Sequence, residues 1–163
     1  MFLGEAPGKD EVIRRIPLIG AAGRFFERNI LGPAGLDRTK VYITNAVLCR
    51  PNERNRTPFL GEIAECRAHL DAQVLLVLPR LIVTLGNVPL YSVCEEQGIM
   101  KKRGILRWSR QWSDGHRVAV FPMLHPAYVL RNSGTLEMSE DVKQLSALVS
   151  ELSTNKNSSF ILP

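Results

Sequence analysis

Short apolar runs alternate with longer stretches in which apolar residues recur every three or four positions, and this alternation predicts an α/β chain. Strands are predicted at Met1–Leu3, Val41–Val47, Leu81–Leu85 and Val118–Met123. A weaker one is predicted at 104–108, able to form a hairpin with Val118–Met123 across Ser113-Asp114-Gly115. Helices are predicted at Ala22–Leu31, Gly61–Leu78, Val88–Glu95 and Glu140–Leu152. The last has Ser139 as N-cap and sets Val142, Leu145, Leu148, Val149 and Leu152 on one face. A single domain over residues 1–152 is expected, followed by a polar and mobile tail, 153–163, that ends in Phe160-Ile161-Leu162-Pro163. The first strand begins at the first residue, where a doubly wound domain normally has more chain to cover its sheet.

Two turns leave strand ends: Gly4-Glu5-Ala6-Pro7-Gly8 after the first and His125-Pro126-Ala127-Tyr128 after the last. Backbone groups in such turns cannot continue the sheet and must find other partners. In open α/β sheets ligands collect at these carboxyl ends. A lone histidine is more often structural than functional; a His-Pro turn opposite a Gly/Pro-rich turn favours function.

Composition adds limits. The 163 residues are 45% hydrophobic and 23% charged, with a net charge of +5. No apolar run reaches the length of a membrane span; Val74–Leu78 ends at Pro79. No signal peptide precedes the first strand, and a cytoplasmic protein with no membrane partner is expected. The positive charge suits a polyanion. It gathers in predicted loops, at Arg50, Arg54 and Arg56, at Lys101, Lys102 and Arg103, and at Arg131. The pattern of a phosphate-binding loop is absent, which weighs against a small-molecule nucleotide enzyme.

Seven segments occur in a telling order: Gly4–Gly8, Pro17-Leu18-Ile19-Gly20-Ala21-Ala22-Gly23, Val41–Pro51, Cys66, Ile82–Gly86, Lys102-Arg103-Gly104 and His125–Asn132. Together they resemble the uracil-DNA glycosylase superfamily, in particular its family-4, iron–sulfur branch, related to a domain associated with phage-type DNA polymerases. The resemblance covers residues 1 to about 152. It implies a three-layer α/β/α fold around a mainly parallel four-stranded sheet. It also implies excision of uracil, or a related deaminated or modified pyrimidine, from single- or double-stranded DNA by hydrolysis of the N-glycosidic bond after base flipping, by a monomer.

The resemblance assigns roles residue by residue. His125 is the donor that stabilises negative charge on the departing base. Asn45 pairs with the uracil edge, and cytosine, with the opposite donor and acceptor pattern, would leave that amide mismatched. Ala6 and Leu18 also line the base site. Glu5 orients water, supports donors around the base, or satisfies loop N–H groups. Apart from the resemblance, the loop charge and the residues after the His-Pro turn lead us to expect DNA contacts at Arg50, Pro126, Tyr128, Val129, Leu130 and Arg131; Tyr128, Val129 and Leu130 form a wedge that fills the gap in the stack, or they cap the core.

Two departures stand out. Leu18 replaces the family's phenylalanine and forgoes base stacking of roughly 1–3 kcal/mol. Cys49 and Cys66 match two of four cluster ligands, and Cys94 matches none. No cofactor is therefore expected in this chain alone; a [4Fe-4S] cluster requires two further cysteines from outside it. The alternative reading is a catalytically weak or inactive module that binds DNA or a partner. The loop 50–58 has no histidine, which disfavours the covalent uracil-trapping branch of the superfamily.

Overall fold

The computed structural model describes residues 1–51, 56–132 and 134–154. The strands are β1 (Phe2–Gly4), β2 (Ile43–Asn45), β3 (Leu81–Leu85), β4 (Arg107–Trp108) and β5 (Ala119–Met123). They form one sheet in the order β2-β1-β3-β5-β4. All neighbours pair in parallel except β4, which runs antiparallel to β5. The sheet thus has five strands and not four, because the weak run at 104–108 contributes a two-residue edge strand. Its hairpin partner is β5, as the turn at 113–115 predicts.

Every residue of β3 and β5 is buried, as expected for a sheet covered on both faces. Alternate residues feed two cores. Phe2, Val83, Leu85, Phe121 and Met123 pack on one face with Phe26, Ile30 and Leu145. Leu3, Ile82 and Val120 pack on the other with Leu70, Val74 and Val93. Helices α2 (Ala21–Phe26) and α7 (Thr135–Thr154) therefore cover the first face, and α3 (Leu60–Val77) and α4 (Asn87–Cys94) the second. This is the three-layer arrangement. Among the described residues no helix is long and apolar enough to cross a membrane.

Three short helices escape the periodicity because each is too brief to show one: α1 (Lys9–Arg14), α5 (Ile99–Lys102) and α6 (Pro126–Asn132). Helix α2 continues into a π-helical turn, Glu27–Leu31, in which Gly32 N–H donates to Glu27 O and Ile30 and Leu31 are both buried. The wider turn lets consecutive apolar residues face inward.

Helix α7 starts at Thr135, so Ser139 lies within it and is no N-cap. Met138 and Asp141, both buried, belong to its inner face and extend it toward its N-terminus. The helix runs on to Thr154, so Ser153 and Thr154 are helical; the rest of the expected tail lies outside the described residues.

The motif Lys102-Arg103-Gly104 is built into the core. Arg103 Nε donates to Asp141 Oδ2 at 3.0 Å, and its Nη2 donates to Glu137 O, fastening the end of α5 to α7. Asp141 is 1% exposed, so the guanidinium is the partner that makes its burial tolerable. Even so, burial pushes the Asp141 carboxyl up to about 6, against the lowering effect of Arg103. Lys102 pairs with Glu96, so neither side chain is a free phosphate contact. Replacing Arg103 with Ala is expected to destabilise the fold by about 3–5 kcal/mol, because the buried carboxylate loses its partner. Urea unfolding measures this, and a loss below about 1 kcal/mol would contradict it.

Candidate functional site

The carboxyl ends of β1, β2, β3 and β5 meet on one edge of the sheet. β1 leads to β2 on one side, whereas β3 leads to β5 on the other, so the chain switches direction between β1 and β3. Around this point lies a pocket of about 240 Å³ whose walls include Ala6, Glu11, Leu18, Asn45, His125 and Ala127. Three segments far apart in sequence, 6–22, 45 and 125–127, are brought together there.

Asn45 ends β2 and is 8% exposed. Its side chain crosses the end of β1, where a Cβ on Gly4 would stand 2.5 Å from Asn45 Oδ1. Only glycine at position 4 leaves that space. The Asn45 amide makes no hydrogen bond among the described residues, so it closes no turn and is free to pair with a ligand.

His125 follows β5 on the pocket wall, and its Nδ1 accepts a hydrogen bond from Ala127 N–H at 3.1 Å. An accepting Nδ1 in a neutral ring leaves the proton on Nε2, which becomes a donor. Burial pushes the imidazole down to about 4; nearby Arg131 pushes the same way and Glu11 opposes it. The ring is therefore neutral at physiological pH.

Glu11, which the sequence reading missed, holds the opposite wall. Its Oε1 accepts Ile19 N–H at 3.0 Å and Gly20 N–H at 2.9 Å. Burial raises its carboxyl, but these backbone donors, with those of Glu11 itself and Gly8, outweigh it and hold the group below the usual value. Arg38 secures the same turn, donating to Pro17 O at 2.9 Å and to Leu18 O. Leu18 sits in the left-handed region with φ 51° and is 6% exposed. A Cβ on Gly23 would lie 2.0 Å from Leu18 O, so helix α2 can approach this turn only through a glycine. The signal for Glu11 was its place between two glycine-containing motifs, which no periodicity marks.

The remaining candidates divide. Ala6 and Leu18 line the pocket. Glu5 is half-buried beside it without lining it; burial raises its carboxyl, and Arg131 partly offsets the rise. Arg50 lines a neighbouring pocket. Tyr128 and Leu130 are 38% and 51% exposed on α6, and Arg131 is exposed in its last turn. Pro126 and Val129 are the two buried side chains of α6. The segment is helical and turns both inward, with Val129 2% exposed in the core. Arg56 is engaged in a two-pronged pair with Glu62, and Arg54 lies outside the described residues.

Cys49 is exposed and Cys66 half-buried among Ala46, Val47 and Ile63. A [4Fe-4S] cluster needs four thiolates. Among the described residues no group of three or more His, Cys, Asp or Glu could hold a metal ion. The residues present do not fit a cluster held within this chain. Cys94 packs against both cores, and burial pushes its thiol up to about 12, the neighbouring Glu96 adding to the effect, as for an inert core residue.

The chain is an α/β/α domain with an unengaged amide and a neutral imidazole lining one small pocket at its strand ends. Sequence comparison specifies the family. The sequence model described as "Uracil DNA glycosylase superfamily" matches residues 1–149. The type-4 uracil-DNA glycosylase of Sulfurisphaera tokodaii is 38% identical over 155 residues, 91% of this chain and 69% of that protein. That of Saccharolobus solfataricus is 37% identical over 86% of this chain and 66% of that protein. That of Archaeoglobus fulgidus is 35% identical over 91% of this chain and 75% of that protein. A DNA polymerase of Bacillus phage SP01 is 27% identical over 80% of this chain and 13% of that protein. The chain belongs to the uracil-DNA glycosylase superfamily. It spans about two-thirds to three-quarters of the length of these type-4 relatives.

The depressed His125 value has a consequence for stability. The unfolded ring binds its proton near pH 6.5, the folded ring only near 4, so stability is full above 6.5 and falls as pH drops toward 4. Between pH 7 and 5, the wild-type chain is expected to lose about 1–2 kcal/mol more than a His125→Gln variant in urea unfolding. Equal losses would mean that the ring is not held neutral.

Proposed function

We propose that this chain excises uracil from DNA by hydrolysing the N-glycosidic bond after the nucleotide is flipped out of the stack. The observation that carries the reading is the pair lining one pocket: Asn45, its amide unengaged among the described residues, and His125, a neutral ring whose proton is left on Nε2. Asn45 offers a donor and an acceptor to the uracil edge. Cytosine presents the reverse pattern and leaves a buried amide mismatched.

Bond cleavage develops cation character on the sugar and negative charge on the base. A donor fixed beforehand at the base stabilises that charge without reorganisation. Ala127 N–H fixes the His125 ring in the required tautomer, and the Arg131 charge favours both the neutral imidazole and the anionic leaving group. Glu5, beside the pocket with a carboxyl raised by burial, fits a role in orienting water. Leu18 packs on the base as an aliphatic shelf. Tyr128 and Leu130 serve as the exposed part of the wedge, with Arg131 within reach of the backbone.

We read the protein as a cytoplasmic monomer that acts on single- or double-stranded uracil-containing DNA. A [4Fe-4S] cluster joins Cys49 and Cys66 only if two more cysteines come from outside the chain.

His125→Ala and Asn45→Ala are each expected to lower single-turnover uracil release by about 100-fold or more, with unfolding midpoints close to wild type at neutral pH. Release is followed by alkaline cleavage of an end-labelled oligonucleotide. Wild-type rates in both variants would remove the two residues from the mechanism, and no release by the wild type would overturn the function.

A further inference from the structure

Beside the small pocket lies a larger one of about 620 Å³. Glu11 and Asn45 line both, so a single wall of side chains separates them. The lining of the larger pocket also includes two cations, Arg15 and Arg50, and an apolar shelf of Val12, Ile16 and Leu48. These three are 51%, 46% and 40% exposed, an apolar surface left open to water.

Neither Arg15 nor Arg50 forms a salt bridge among the described residues. Arg50 Nε is buried without a hydrogen-bond partner among them. A buried N–H of a charged group is costly to leave unpaired, so the site is short of an acceptor. Glu11 cannot fully supply it, because its Oε1 is taken by Ile19 and Gly20 N–H. A guanidinium pair beside an apolar shelf matches a nucleotide, whose phosphate takes the forked donors and whose base covers the apolar side chains. The volume lies within the usual range for such ligands, about 300–1,000 Å³.

We propose that the larger pocket is a second DNA subsite that takes the nucleotide covalently next to the extruded one, its phosphate on Arg15 and Arg50 and its base on the Val12, Ile16 and Leu48 shelf. The inference rests on reading the smaller pocket as the base site. The shared Glu11–Asn45 wall then sets the two subsites one nucleotide apart, so DNA is read beyond the target base. Part of the affinity comes from the flanking nucleotide and does not depend on duplex structure.

The test is fluorescence anisotropy with a labelled single strand that carries 2′-fluoro-2′-deoxyuridine, a slowly hydrolysed substrate analogue. Three strands are compared: one all-phosphate, one with an uncharged methylphosphonate on the 5′ side of the analogue, and one with it on the 3′ side. One of the two methylphosphonate strands is expected to bind the unaltered protein about tenfold more weakly, the loss of one charge-assisted contact. An Arg15→Ala/Arg50→Gln variant is expected to bind the all-phosphate strand about tenfold more weakly and to lose the discrimination. Arg15 is exposed, so Arg15→Ala alone, expected to reduce the discrimination, covers the case in which the Arg50 change disturbs folding. Equal binding of all three strands by the unaltered protein would overturn the proposal, as would full discrimination retained by the double variant. Uracil release from an ordinary deoxyuridine strand is measured in parallel. Its failure would overturn the glycosylase reading alone, because the subsite is read from binding.

Discussion

The Glu11 carboxylate, with Ile19 and Gly20 N–H on one of its oxygens, holds the turn from Pro17 to Gly20 against the ends of the strands. Without it, two backbone donors at a pocket wall would face apolar surroundings, and a turn with a leucine in the left-handed region would have little to hold it. Arg38 grips the same turn from outside through the Pro17 and Leu18 carbonyls. The pocket is therefore a space bounded by a pinned turn on one side and by strand ends on the other. Both boundaries are rigid before any ligand arrives. That rigidity is what an amide and an imidazole need in order to discriminate by hydrogen-bond pattern.

The electrostatics follow from the same geometry. His125 is neutral because its ring is desolvated and Arg131 stands near it, with Glu11 opposing only in part. Glu5, at the end of β1, is half-buried; there burial favours the neutral form by raising the pKa instead of lowering it. One positive charge thus adds to burial in keeping the imidazole deprotonated and opposes burial in keeping a carboxylate ionised. Arg131 does this without a direct bond to either side chain, so its effect falls with ionic strength.

The long elements were legible in the sequence because their signals are strong: β3 and β5 as apolar runs, α3 and α4 as helical periods within a residue of their bounds. The clustering of Asn45, His125, Ala6 and Leu18 was legible only through the family resemblance of the motifs that carry them. The short helices were not. α6 spans seven residues and starts at Pro126, so the segment expected to enter DNA is a helix that buries Val129. Ser139 misled because an N-cap residue type within a helix looks the same in sequence as one at its start. Lys102 and Arg103 read as surface charge, yet each has an acidic partner. Burial of a charge depends on a partner distant in sequence, as Asp141 is from Arg103, and single-chain patterns do not encode such pairs. The role of Glu11 was hidden for the same reason, since its partners are backbone groups.

The central claim is that Asn45 and His125 together recognise uracil, and the most direct measurement is a titration of isotope-labelled protein with the free base, followed by nitrogen NMR. The account predicts that the Asn45 side-chain amide and the His125 Nε2 signals move together and saturate with uracil, and that cytosine at the same concentrations leaves both in place. Equal responses to the two bases, or a uracil response confined to residues away from this pocket, would contradict it.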